Sequence, residues 1–558
     1  MSHFFSGLCA ALGLLLVVPA GAGEQPADFG AGLEARLRAH IEFLAADELR
    51  GRQPGTDGYA IAANYVASQF AQIGLVPAGG DNGYFQQVPL RRAVQERGSA
   101  RMSLDRDGET RSFEFVEEFY IGASTAHAES LVEAPMVFVG YGIHAPELGY
   151  SDFGQVNLAG KIAVTLGGQP LDFPSEEGAH FGSGREKARA IAAHGAVGWV
   201  TIYTPRNERR TDWGRVRRRV GMPSMDWIAN DGSIGADFSQ IRGSARMHYE
   251  PAQALFEGAP HSLASLLEAD ETGQGLPIFP LHGTLTLAQR SRHADIDSPN
   301  VVGLLPGTDP VLADEHLVYV AHLDHIGEFR ASHSGDRINN GALDNAAGIA
   351  VMLETARRFA QGEGARRSIL FLAVTAEEKG LVGSEYFARN PTVRPESMVA
   401  VINLDMPLLL YDFADVIAFG AERSSMERAV RQAATEFETQ LTPDPFPAQN
   451  VFVRSDHYRF VQQGIPSIFL VTGMQDRTGS VDAQSVYKGF LDEHYHRPSD
   501  DLALPIHYAA GARFTHINTR IGEIIANGSQ RPRWNEGDFF GRTFGRQAPE
   551  ATAGAASR

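Results

Sequence analysis

Beyond residue 300 the chain alternates short apolar runs of strand length with amphipathic runs of helix length, and this alternation most constrains the fold. HLVYVAH (316–322), SILFLAVT (368–375) and MVAVINLD (398–405) read as strands. Between and after them, NAAGIAVMLETARRFA (345–360) and LVGSEYFARN (381–390) carry helical spacing. Further on come strand-like VIAFG (416–420), helical SMERAVRQAATEF (425–437), strand-like IPSIFLVTG (465–473) and a last helix around 509–527. Strands without a polar side must be covered on both faces. The expectation is therefore an α/β fold with a mostly parallel central sheet flanked by helices.

The rest of the chain has a different texture. Residues 31–44 and 59–73 show helical spacing, the second run closed by Gly74, a residue suited to end a helix. From Leu131 short apolar runs are broken by glycine and proline, with one helical stretch, REKARAIAAHGA. This predicts an inserted β-rich domain. Expected boundaries are a signal peptide at 1–23, an N-terminal part of the main domain at 24–125, the insert at 126–285, the main domain again at 286–530, and a poorly ordered tail at 531–558.

The one long uncharged apolar run, Phe4 to Val18, is too short to span a bilayer comfortably and is followed by Pro19 and small residues. That pattern predicts a cleaved signal and a secreted or periplasmic protein without stable membrane insertion. No lysine or arginine precedes Arg36, so a retained anchor is the alternative. The single cysteine, Cys9, lies inside this segment, and cleavage would remove disulfides, thiolate ligands and cysteine nucleophiles from consideration. A formal charge of -18 argues against nucleic acid as a partner.

Open α/β sheets gather their sites outside the carboxyl ends of strands. The first strand runs into Ala321-His322-Leu323-Asp324-His325, the second ends at Glu377-Glu378, and the third at Asn403-Leu404-Asp405. Asp344 stands at the start of a helix and His496 near the C-terminus. Alone, each is ambiguous: Asp344 could cap a helix, and a Glu-Glu pair is usually a solvated turn. Their conjunction at successive strand ends points to a metal centre with His322, Asp344, Glu378, Asp405 and His496 as ligands. Imidazole and carboxylate donors without thiolate suit Zn2+, with Co2+ or Mn2+ as substitutes. Two ions per chain would need six donor positions, which five residues supply if Asp344 bridges them. Asp324, two residues beyond His322, is expected to hold the other imidazole nitrogen and fix its tautomer. Glu377, beside a metal-bound Glu378, is expected to act as general base.

These motifs, AHLDHIG, NNGALDNAAG, TAEEKGLVGSEYF, NLDM, SDHYRFVQQGIPSIF and YHRPSDD, resemble the zinc-dependent exopeptidases of the bacterial leucyl aminopeptidase and aminopeptidase Y group, relatives of glutamate carboxypeptidase II. The resemblance implies one metal held by His322, Asp344 and Asp405, the other by Asp344, Glu378 and His496, with Glu377 as the base. It implies a dizinc aminopeptidase acting on peptide substrates. A carboxypeptidase, a glutaminyl-cyclase-like enzyme or a catalytically silent, receptor-like binding protein are the alternatives on such a scaffold. FVGYGI, NLAGKIAV and KARAIAAHGAVG resemble a protease-associated domain. Where some relatives carry a tyrosine for the oxyanion, this chain has Phe452, so no oxyanion residue is assigned.

Seven arginines between Arg206 and Arg219 read first as a salt-bridged or solvated stretch. Arg454 could face the cleft or form a structural ion pair, and Trp213 and Trp227 read as packing residues.

Overall fold

The computed structural model describes residues 31–545, apart from 82, 155, 219, 236–237, 329–334 and 446. The expected signal, 1–23, and the last residues, 546–558, lie outside them. Among the described residues no helix is long and apolar enough to cross a membrane.

The first of two large sheets has the order Val76–Pro77, Asn300–Leu305, Ser368–Val374, His316–His322, Met398–Asn403, Ser467–Thr472, Asp415–Phe419, Gln440–Thr442. Its four central strands, from Ser368–Val374 to Ser467–Thr472, are parallel. Antiparallel pairings of Asn300–Leu305 and Asp415–Phe419 bound that centre. The chain thus has the expected α/β fold, with a parallel core and a mixed periphery.

The side-chain period of two sorts the strand residues between two layers. Leu317, Tyr319, Ala321, Ile369, Phe371 and Ala373 join a core completed by the helices Ala31–Leu44, Asp57–Ile73, Ala347–Gln361 and Tyr508–Asn527. Val318, Val320, Leu370, Leu372 and Val374 face the other way, toward Phe387 and Phe460. Helix Asp57–Ile73 starts where the Thr56 hydroxyl accepts the Tyr59 N–H, and stops at Gly74 in the left-handed region.

The second sheet has ten strands and includes Pro89–Gln95, Arg101–Arg106 and the 20-residue strand Ile278–Asp297. The insert therefore begins near residue 89, not 126, and ends near 297, not 285. Pro89 and Asp297 are register partners in an antiparallel pair, so the chain enters and leaves this domain through adjacent strands. Alternation within residues 89–105 could not reveal that boundary, because the partners of these residues in the long strand lie about 180 to 210 residues away.

The expected tail is also corrected. Residues 531–545 pack back onto the molecule: Trp534 donates to the Gly464 carbonyl, Asp538 pairs with Arg423 at 3.1 Å, and Phe539 and Phe540 are buried. Burial of each phenylalanine contributes about 1.5–3 kcal/mol, which outweighs the polar look of the stretch. These rings join a core shared by both domains, with Phe181 from the insert and Phe452, Tyr458 and Phe469 from the main domain. Phe452 is thus a seam residue, buried against His457, Tyr458 and Phe540.

Candidate metal centre

Each proposed ligand sits where a regular element ends. His322 is the last residue of its strand, Glu377 and Glu378 form the turn after Ser368–Val374, and Asp405 follows Met398–Asn403. Asp344 lies in the irregular turn preceding Ala347–Gln361, and His496 follows the helix Ala483–Glu493. That turn requires Gly341: its φ is +62°, and a Cβ there would stand 2.2 Å from the Asp344 carbonyl oxygen.

The five side chains converge. His322 Nε2 lies 3.2 Å from Asp344 Oδ1 and 3.1 Å from Asp405 Oδ1. His496 Nε2 lies 3.3 Å from Asp344 Oδ2 and 3.1 Å from Glu378 Oε2. One carboxylate thus offers one oxygen to each of two donor sets. Four donors about 2.0 Å from a tetrahedral ion would be about 3.3 Å apart, which these separations match. Asp344 Oδ2 and Glu378 Oε1 are buried and accept no well-aligned hydrogen bond, although imidazole nitrogens of His496 and His325 lie 3.3 and 2.7 Å away, an arrangement that a cation between the donors would satisfy.

His325 is a member that strand-end reasoning missed. It is fully buried, with Nδ1 2.7 Å from Glu378 Oε1 and 3.9 Å from Asp344 Oδ2. His322, Asp344 and Asp405 form one group able to hold a metal, and His325, Asp344 and Glu378 form another. The separations around His325, 2.7 and 3.9 Å, are less even than those around His496, so His496 fits the second donor set better and His325 packs against the far oxygen of Glu378. Its adjacency to Asp324 in the sequence was the available signal.

The role expected of the Asp324 side chain is corrected. His322 Nδ1 lies 3.0 Å from the backbone carbonyl of Asp324, not its carboxylate. The strand has ended at His322, so residues two apart no longer share a face. The carboxylate instead accepts the backbone N–H groups of Glu377 at 2.9 Å and Glu378 at 3.3 Å.

Other supports come from farther away. Asp500 accepts the N–H groups of Leu343 and Asp344 at 2.9 and 3.0 Å. Ser455 donates to Asp405 Oδ2 at 2.6 Å and accepts from Asn403. Arg52, 1% exposed, donates to the carbonyls of Leu44, Leu323 (2.9 Å), Asn340 (2.6 Å) and Gly341 (3.1 Å). It ties the N-terminal segment to both loops that carry ligands.

Electrostatics follow from burial among carboxylates. Burial alone would depress the His322 imidazole, yet Asp405 and Glu377 raise it well above its ordinary value. His496 goes up to about 9, with Glu378 and Asp344 overcoming the same burial. Burial opposes ionisation of Glu378, but His496 and His325 hold it well below the usual carboxylate range. Glu377 moves the opposite way: burial, reinforced by Glu378, Asp456 and Asp405 against His322, raises it well above its ordinary value. Two neighbouring glutamates thus have opposed protonation preferences, as separate ligand and proton-carrier roles require.

Of the remaining residues, Arg206, Arg209 and Arg217 form ion pairs with Asp270, Glu271 and Glu117, matching the salt-bridged reading. The Arg218 side chain and Arg219 lie outside the described residues. Arg454 is exposed and donates to the Gln449 carbonyl, while Trp213 and Trp227 are buried.

Residues 300–521, which supply every donor of both sets, match the model of Peptidase family M28. That segment is similar to this family. A probable zinc metalloprotease of Pyrenophora teres f. teres is 35% identical over 112 residues, 20% of this chain and 23% of the relative. A probable leucine aminopeptidase 2 of Aspergillus fumigatus is 26% identical over 258 residues, 44% of this chain and 48% of the relative. The chain thus matches about half or less of the length of these curated relatives. The solved aminopeptidase from Aneurinibacillus sp. strain AM-1 superposes with a TM-score of 0.52 at 19% identity, covering 90% of this chain and 98% of that one. The fold likeness to that structure therefore extends over both domains of this chain.

Proposed function

We propose that the protein is a zinc-dependent aminopeptidase that removes N-terminal residues from peptides at a dizinc centre. The observation that carries this reading is the Asp344 carboxylate, set between His322 on one side and His496 on the other. His322, Asp344 and Asp405 would hold one ion, and Asp344, Glu378 and His496 the second. Zinc bound there supplies a Lewis acid for the scissile carbonyl and a more acidic water.

The chain's own residues do the rest. Glu377 belongs to neither donor set but shares the turn with Glu378, so it can take the proton of the attacking water and deliver it to the leaving amine. Asp324 fixes that turn by its two backbone hydrogen bonds. Asp500 fixes the turn of Asp344, and Ser455 orients Asp405. The domain at 89–297 is proposed to be a protease-associated domain roofing the cleft, supported by Arg215, which reaches the carbonyl of Leu491, five residues before His496, at 3.4 Å. Export rests on the apolar run Phe4 to Val18 and the small residues after it.

A carboxylate-rich cleft in an acidic protein favours a free α-ammonium over a free carboxylate. The test is mass spectrometry of one peptide in four forms, free or blocked at each end. N-acetylation should abolish cleavage and C-amidation should change it little. The reverse pattern would replace the aminopeptidase with a carboxypeptidase. Cyclisation of an N-terminal glutamine without hydrolysis would identify a cyclase, and no turnover with full zinc a silent binding protein.

A further inference from the structure

A cavity of about 170 Å³ lies at the seam between the two domains, away from the metal centre. Its walls carry Arg185 and Arg189 from the insert helix Gly184–Ala193, and Glu385, Arg389, Arg459 and Gln462 from the main domain. Glu385 is the one acid in the wall. It is 3% exposed and shared by Arg185, Arg389 (3.1 Å) and Arg459 (3.9 Å). Two further carboxylates stand behind the wall: Asp226, 4.0 Å from Arg185, and Glu186, paired with Arg189. Four guanidinium groups therefore face three carboxylates, and only one of those carboxylates reaches the cavity.

The donors are not saturated. Arg459 Nη1 donates to Gln462 Oε1 at 2.9 Å and Nη2 to the Gly380 carbonyl at 3.0 Å, but its buried Nε makes no hydrogen bond and has only the Glu385 carboxylate 3.9 Å away. A charged donor in a cavity wall left without a hydrogen bond is under-satisfied unless a ligand or water meets it. Burial above all, and next the charge of Arg185, push the Arg459 guanidinium down to about 10 against the opposing pull of Glu385 and Asp226. Arg189 and Arg389, 42% and 39% exposed, stand toward solvent where an ion would enter. Forked guanidinium donors suit an acceptor presenting several oxygens.

We propose that this cavity binds a small tetrahedral oxyanion of the phosphate or sulfate type, held by Arg459 at its base and by Arg189 and Arg389 at its mouth. The ion would bridge the domains, because Arg185 and Arg189 belong to one and the remaining arginines to the other. It would also touch the catalytic turn indirectly: Arg459 holds the Gly380 carbonyl, and the Gly380 N–H donates to the Glu377 carbonyl at 2.8 Å. The proposal is independent of the reading of the metal centre.

The test is calorimetric titration of the zinc-loaded full chain with inorganic phosphate, against sodium chloride at matched ionic strength. Wild type should bind phosphate saturably. R189A/R389A, two exposed changes outside the catalytic machinery, should weaken binding by about tenfold or more with zinc content and basal hydrolysis unchanged. R459K, which keeps the charge but loses the fork, should weaken it as well. Absence of saturable binding to wild type would overturn the site. So would binding that persists in R189A/R389A, which places the phosphate elsewhere, on the zinc ions included. Weaker binding accompanied by lost zinc would overturn it too.

Discussion

Asp324 holds Glu377 by its backbone: the aspartate carboxylate accepts the glutamate N–H at 2.9 Å, and the next amide, that of Glu378, at 3.3 Å. A single buried carboxylate therefore sets the position of both the proposed base and a proposed ligand. Burial raises Asp324 to about 6, so near neutral pH it is mainly the ionised acceptor that this arrangement needs.

Asp324→Ala should free the turn. Turnover is expected to fall by about 10- to 100-fold, the usual scale for groups that orient metal-site residues. Hydrogen exchange at the amides of Glu377 and Glu378 should accelerate in the same variant. If those amides stayed protected, the backbone role would be wrong.

Because Asp344 presents one oxygen to each donor set, Asp344→Ala should lower zinc content more than His322→Ala, which disturbs one set. Elemental analysis after dialysis compares them. Two tightly held ions in the Asp344 variant would exclude a bridging carboxylate.

Glu377→Gln removes the proposed proton carrier and nearly preserves the shape. Zinc should remain at the wild-type level while turnover drops by about two to four orders of magnitude. Steady-state kinetics beside metal analysis decides it, and undiminished turnover would sink the mechanism.

Arg52→Met should damage stability and metal retention together. The change leaves four carbonyls without their shared donor, and strands several carboxylates without a buried cation. A loss of about 3 kcal/mol or more is expected in denaturant unfolding. A loss below about 1 kcal/mol with normal zinc affinity would show that Arg52 is dispensable.

Lys187, 3% exposed in the insert, has its ammonium pushed down to about 7 by burial, from an ordinary value of 10.5. Below pH 7 both folded and unfolded states carry the proton. Between pH 7 and 10.5 the unfolded state binds more protons, so this group makes stability rise with pH. The difference in urea midpoint between wild type and Lys187→Met should therefore shift in favour of wild type across that window. A flat difference would contradict it.

The sequence by itself determined whatever depends on local pattern and donor type. Unbroken apolar runs such as His316–His322 can only be strands covered on both faces, and the helices between them make those strands parallel. Polar residues cannot continue such a run, so His322, Glu378 and Asp405 had to stand at its ends, where sites in open sheets gather. Only the tertiary structure decided what depends on distant backbone. Arg52 meets the Asn340 carbonyl 288 residues away, and Asp500 meets the Asp344 amide 156 residues away. Nothing in a side chain's type names the carbonyl or amide it will find. The same reason hid the boundary at Pro89, fixed by its pairing with Asp297, and the burial of Phe539 and Phe540, fixed by a seam built from both domains. Side-chain periodicity repeats every two to four residues and can be read along the chain. Backbone hydrogen bonds and interdomain packing join residues that only folding brings together.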